Sequence, residues 1–239
     1  MRNWSVRWAI CLLSLGVAVW GGGTARASVS HALPRGRDHA DQTWGGYAVT
    51  ASAGTYTTIT GRWNVPTMNC SHGRGDASPW IGIDGWANDT VEQIGIDLDC
   101  RDGKGSYHPW VEMYPGPSDY FHETVHAGDT LTASVSVSGG TWTLTEGDTT
   151  AGWTKTFHRR PKHTPQRASA EAIVEDVGGG GAPPLPDFNT VTFRDLTVNG
   201  SPFKSAGTPH RTTLERGSTP LSRESALSSG GFSITWLHN

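Results

Sequence analysis

Trp80-Ile81-Gly82-Ile83-Asp84 and, a short turn later, Val91-Glu92-Gln93-Ile94-Gly95-Ile96-Asp97-Leu98 alternate aliphatic with other residues along most of their length. Side chains of a strand point to opposite faces with a period of two, so the pattern predicts two β-strands. Trp80, Gly82 and Asp84 then share one face and Ile81 and Ile83 the other, while Gln93, Gly95 and Asp97 lie opposite Ile94, Ile96 and Leu98. A third run, Trp110 to Tyr114, sets Trp110, Glu112 and Tyr114 opposite Val111 and Met113. Each run offers aliphatic residues to a core and gathers carboxylates, an amide and aromatics on the other side. An ordinary solvent face favours Thr, Ser and Lys, so this face reads as a concave cleft suited to a polymer.

The rest of the chain repeats the strand signal. Further runs span 45–50, 56–65, 130–137, 141–145, 170–177, 190–198 and 232–237, separated by Gly139-Gly140, the loop 178–186 and Asn199-Gly200. No long stretch carries the 3.6-residue apolar period of a helix. Charged residues are 17% of the 239, against roughly 25% in average globular chains, and Gly, Thr and Ser take their place. The expected fold is all-β, a lectin-like (concanavalin A-like) sandwich of two antiparallel sheets.

The N-terminus predicts export. Arg2 and Arg7 precede an apolar run from Trp8 to Trp20, and Ala25-Arg26-Ala27 has the small-x-small form of a signal-peptidase site. The expected division is a signal peptide over 1–27, a leader or short prosegment over 28–41, and one domain over 42–239. The run is short for a bilayer crossing of about 20 residues, and no membrane anchor is expected. Removal of 1–27 leaves 16 Lys+Arg against 22 Asp+Glu, a formal −6, which argues against nucleic acid as a partner. Cys11 leaves with the signal, and Cys70 and Cys100 remain as either a disulfide or a free pair.

With Ala170-Glu171-Ala172-Ile173-Val174-Glu175-Asp176, Trp44-Gly45-Gly46 and Asn64-Val65-Pro66, these motifs resemble the glutamic endopeptidases, the eqolisin family. The resemblance implies an extracellular, monomeric acid endopeptidase acting on polypeptides, with no metal and no cofactor, and a catalytic dyad of Gln93 and Glu171. It further implies that Trp80, Asp84, Asp97, Trp110, Glu112 and Tyr114 line or support the site. Ala172 departs from the aromatic that fungal members tend to carry after the catalytic Glu, which bears on subsite shape rather than on the dyad.

The chemistry suits acid. Water attacking a peptide carbonyl needs a base for its proton and donors for the oxygen that becomes negative. A Glu with a reference pKa of about 4.3 is partly ionised in mild acid, where a His would be protonated. A carboxamide does not titrate there, so its donors persist. Glu171 is the expected base, later passing the proton to the leaving amine, and Gln93 the expected oxyanion donor. The other reading of such a cleft is a carbohydrate-binding or glycoside-hydrolysing sandwich using Glu112 and Glu171; a central amide sets the two apart.

His122-Glu123-Thr124-Val125-His126 matches the zinc-protease pattern H-E-x-x-H. That pattern grips a metal on a helix, where i and i+4 stack. The flanking Pro115-Gly116-Pro117 and Gly128-Asp129 predict a strand or turn, where the imidazoles would stand about 13 Å apart. The basic run His158, Arg159, Arg160, Lys162, His163 and Arg167, broken by Pro161 and Pro165, reads as a solvated loop.

Overall fold

The computed structural model describes residues 43–178 and 184–238. The expected signal peptide and leader, and residues 179–183 of the 178–186 loop, lie outside the described residues.

Seventeen strands, numbered in chain order, form two large antiparallel sheets and one small hairpin among the described residues. The first sheet runs in space as β13 (Thr208–Thr212), β1 (Trp44–Thr50), β10 (Ser169–Asp176), β3 (Gly75–Ile83), β4 (Val91–Arg101), β5 (Lys104–Tyr114) and β6 (Asp119–Tyr120). The second runs as β16 (Ser222–Glu224), β17 (Phe232–Trp236), β11 (Thr190–Val198), β2 (Thr58–Asn64), β7 (Thr130–Ser138), β8 (Thr141–Asp148) and β9 (Trp153–Arg159), with β12 (Ser201–Pro202) beside β11. β14 (Glu215–Arg216) and β15 (Thr219–Pro220) pair with each other. The expected two-sheet sandwich is the observed fold.

Turn chemistry follows the sequence. Asp102-Gly103, Gly139-Gly140 and Asn199-Gly200 all have positive φ at both positions, the backbone that two-residue hairpins demand and that Gly and Asn tolerate. They join β4 to β5, β7 to β8 and β11 to β12. The cysteines are bonded: Cys70 and Cys100 have Cα atoms 5.2 Å apart, tying the end of β4 to the segment before β3.

The core lies between the sheets. Ile81, Ile83, Ile94, Ile96 and Val111 from the first meet Ile59, Trp63, Leu131, Val135, Leu144 and Phe193 from the second. On the other face of the first sheet a second buried cluster forms from Trp44, Trp80, Val91, Trp110 and Ile173. The first sheet is therefore buried on both sides at its centre, and the side chains expected to line an open cleft are shielded from solvent.

Pro79 sits in the middle of β3, between two partner strands, where a proline lacks the N–H that a ladder needs. The pairing of β3 with β4 is interrupted at Ser78 and Pro79. The Ser78 hydroxyl makes good the loss by donating to the Ile96 carbonyl at 2.8 Å.

Two long strands escaped the sequence pattern. β13 contains Pro209, which argues against a strand in general but is tolerated here because β13 is the sheet edge. β9 is the opposite edge of the second sheet and alternates Trp153, Lys155 and Phe157 with polar residues, too sparse an apolar signal beside the basic run. Residues 121–126 form neither helix nor strand, so His122 and His126 are not stacked one helical turn apart.

Candidate active site

The site is set by register. Glu171 on β10 lies opposite Gly82 on β3, Gly82 opposite Gln93 on β4, and Gln93 opposite Glu112 on β5. Residues directly opposite share a face of the sheet. Three polar side chains thus form one row with a glycine between the first two. At the usual strand spacing the Cα atoms of Glu171 and Gln93 are about 9–10 Å apart, leaving an interval between their side chains that Gly82 does not fill. A Cβ added to Gly82 would lie 3.0 Å from the Gln93 Cβ and 3.1 Å from Trp80 Cζ3.

The adjacent row repeats this arrangement with aromatics. Trp80 lies opposite Gly95, and Gly95 opposite Trp110; a Cβ on Gly95 would come within 2.5 Å of the Trp80 Cβ. The glycine is what lets two indoles flank one strand. Trp80 Nε1 donates to Glu175 Oε2 at 3.0 Å, and Trp110 Nε1 donates to Ser78 Oγ at 3.0 Å. Trp44 meets Trp80 edge-on at 4.8 Å between ring centres. Tyr114 packs at the margin of this cluster and is half-buried.

Within the polar row, Gln93 Nε2 donates to Glu112 Oε2 at 2.6 Å. This fixes the amide's orientation and leaves Gln93 Oε1 without a partner. Glu171 is 0% exposed, and neither of its oxygens accepts a hydrogen bond of good geometry. Burial holds its carboxyl well above the ordinary Glu value. The Ser169 hydroxyl and, more weakly, the Trp86 amide favour the charged form, while the charges of Asp84 and Glu92 add to the rise. Desolvation is therefore the first influence on the carboxyl that the sequence reading makes the base.

Asp84 does not continue the alternation of β3. It lies past the strand end with φ 73°, and its carboxylate accepts the backbone N–H groups of Arg167 and Ala168 at 2.6 and 2.9 Å, together with Asn88 Nδ2 at 2.9 Å. It thereby anchors the entry to β10, the strand that carries Glu171. Asp97 accepts the Tyr120 hydroxyl at 2.5 Å, beside Trp110 rather than in the dyad's row.

The sequence reading missed Glu92 and His163. Glu92 has the parity of Ile94, so it points away from Gln93; that parity was the available signal. It is fully buried and lies 2.7 Å from His163 Nε2. Burial, then the Asp84 charge, pushes Glu92 up to about 9, and burial lowers His163. Both shifts favour a neutral pair in which the carboxyl donates to the imidazole.

Comparison with known proteins places this geometry in a family. The profile of the peptidase A4 family matches residues 42–236. The chain belongs to the peptidase A4 family. The motif likeness to the eqolisins is thus membership of a peptidase family. The chain is 33% identical over 141 residues to scytalidopepsin B of Scytalidium lignicola, a stretch that is 57% of this chain and 52% of that protein. It spans about half the length of this curated relative. Among solved structures, aspergilloglutamic peptidase from Aspergillus niger is 27% identical with a TM-score of 0.59, covering 68% of this chain and 99% of that one. Scytalido-glutamic peptidase with a transition state analog inhibitor shares the fold at a TM-score of 0.70 and 24% identity, covering 82% of this chain and 98% of that one.

Proposed function

We propose that this peptidase A4 family member is an exported acid endopeptidase in which Glu171 and Gln93 activate water against a peptide carbonyl. The observation that carries the reading is the row Glu171, Gly82, Gln93, Glu112, in which the residue between acid and amide has no side chain.

In this reading a water held in the interval over Gly82 donates to the Glu171 carboxyl, and a hydrogen-bonded carboxyl ionises more readily. Glu171 then takes the water proton as the oxygen attacks, and returns it to the leaving amine. Gln93 faces the same interval from the other side. Its amide, oriented by Glu112, stabilises the developing oxyanion, and its free Oε1 orients the water. Trp80 and Trp110 serve as the rigid floor beneath the substrate, with Tyr114 at its edge.

The glycosidase reading of Glu112 and Glu171 loses ground. Their Cα atoms are three strand spacings apart, about 14 Å, Gln93 stands between them, and Glu112 is bonded to its amide.

Export, removal of residues 1–27 and a monomeric domain over 42–239 belong to the same proposal. The Cys70–Cys100 disulfide supports export, since such bonds persist in oxidising compartments. No helix among the described residues is long and apolar enough to cross a membrane.

The test is cleavage of an unfolded protein by purified mature protein in acid, with and without a chelator. Cleavage that persists in chelator and falls about 100- to 10,000-fold in Glu171→Gln is expected. Near-normal turnover by that variant would remove Glu171 from the chemistry.

A further inference from the structure

The basic run that the sequence suggested was only a solvated loop forms one wall of a groove. Arg159, Arg160, Pro161, Lys162 and His163 face Val111, Glu112, Met113, Pro115 and Pro117 across a space of about 480 Å³. The groove begins at Glu112, whose carboxylate holds the Gln93 amide, so it opens directly from the Gln93 end of the polar row.

Its charges are unequal in their engagements. Asp119, at the rim, is 3.3 Å from Arg159, and Arg159 also lies over the Phe157 ring. His163 is held by Glu92, and Glu112 by Gln93. Arg160 and Lys162 are exposed, and no acid among the described residues stands within ion-pair distance of either. The opposite wall sets Val111, Met113, Pro115 and Pro117 beside Glu112, whose carboxylate is bonded to the Gln93 amide, and prolines fix the backbone in advance of binding. A short apolar channel rimmed by two unpartnered cations matches a side chain with a methylene stem and an anionic head.

We propose that this groove is a specificity subsite for a glutamate side chain of the polypeptide substrate, with Lys162 and Arg160 as the residues that recognise its carboxylate. The proposal rests on the peptidase reading of the adjoining row. From the interval above Gly82 to Glu112 is two strand spacings, about 10 Å, and an extended peptide advances about 3.3 Å per residue. The recognised glutamate therefore stands about two to four residues from the scissile bond.

The experiment uses paired octapeptides that differ only by Glu or Gln, scanned over those positions on both sides of the bond. Dissociation constants are measured by fluorescence anisotropy at pH 5 on the Glu171→Gln protein, where no turnover is needed. At one position the Glu peptide is expected to bind about fivefold more tightly, the size of a modest, partly exposed ion pair. The preference should fall to within twofold of unity when Arg160→Gln and Lys162→Gln are added. Equal affinities at every position, or a preference that survives both substitutions, would overturn the subsite. The same pairs given to the wild-type protein isolate the other failure: a Glu preference in binding with no cleavage of either peptide would overturn the peptidase reading and leave the subsite standing.

Discussion

The two sheets of this sandwich are built to different rules. β7 in the second sheet alternates buried and half-buried residues along most of its length, and its neighbours β2 and β8 carry Thr60 and Thr145 on the outer face, where their hydroxyls pair with Thr197 of β11 and Thr156 of β9. β10 in the first sheet is buried at all eight positions, and β4 at every position but Arg101. A sheet needs only one buried face to be stable. The second sheet meets that need and stops. In the first, a second layer of indoles, carboxyls and an amide is kept from water at a desolvation cost that only specific pairing or function offsets.

The two sheets differ most in what they contribute to activity. Gln93→Ala should lower kcat/KM about 100- to 1,000-fold, the loss seen when an oxyanion donor is removed, with an unchanged fold by circular dichroism. A change of under about threefold would make the buried amide structural.

The first sheet also depends on its covalent tie. Replacing Cys70 and Cys100 with Ser should lower unfolding free energy in urea by about 3–4 kcal/mol for a closed loop of this length. An unchanged denaturation midpoint would show that β4 is held by its ladder alone. Ser78→Ala removes both the bond to the Ile96 carbonyl and the one from Trp110 Nε1. A loss of about 1–3 kcal/mol is expected, and a value near zero would contradict the patch over Pro79.

Acidity acts on the buried carboxyls. Glu92, Glu146, Glu171 and Glu224 are all raised, chiefly by burial. Each favours the folded state in full below its unfolded value, about 4.5. Each contribution is lost as pH rises through the folded value, which for Glu92 is about 9. His163, lowered by burial, works the other way below its ordinary value of 6.5, but it is one group against these four and Asp148, which burial also raises. The melting temperature should therefore be highest in acid and fall between about pH 4.5 and 9. Glu146→Gln should flatten that fall, because Glu146 lies in the core with both oxygens unpartnered. A melting temperature rising from pH 4.5 to 8 would contradict the account. Smallest of all, Thr145→Ala on the outer face of the second sheet should change stability by less than about 0.5 kcal/mol.

Much of this was legible in the residues. The period-two pattern over 80–84, 91–98 and 110–114 placed Gln93, Trp80, Trp110 and Glu112 on one side of their strands, while the Asp102-Gly103 hairpin that joins β4 to β5 came from the structure. The position of β10 was not legible from pattern. Glu171 is 78 residues beyond Gln93, and only the family likeness paired the two; that its strand joins β3 came from the structure. Local pattern is also silent on what covers a face, so burial of the row and the raised Glu171 carboxyl escaped it. Asp84 illustrates a third limit: its parity fitted β3, but a positive φ at the strand end turned it to cap the loop before β10.

The central claim is that one water is shared by Glu171 and Gln93 over Gly82. A high-resolution crystal structure of the mature protein at acid pH tests it most directly. An ordered water is expected within about 3.2 Å of a Glu171 carboxyl oxygen and of the Gln93 side-chain amide. Side chains packed together over Gly82, or turned so that no single water reaches both, would contradict it.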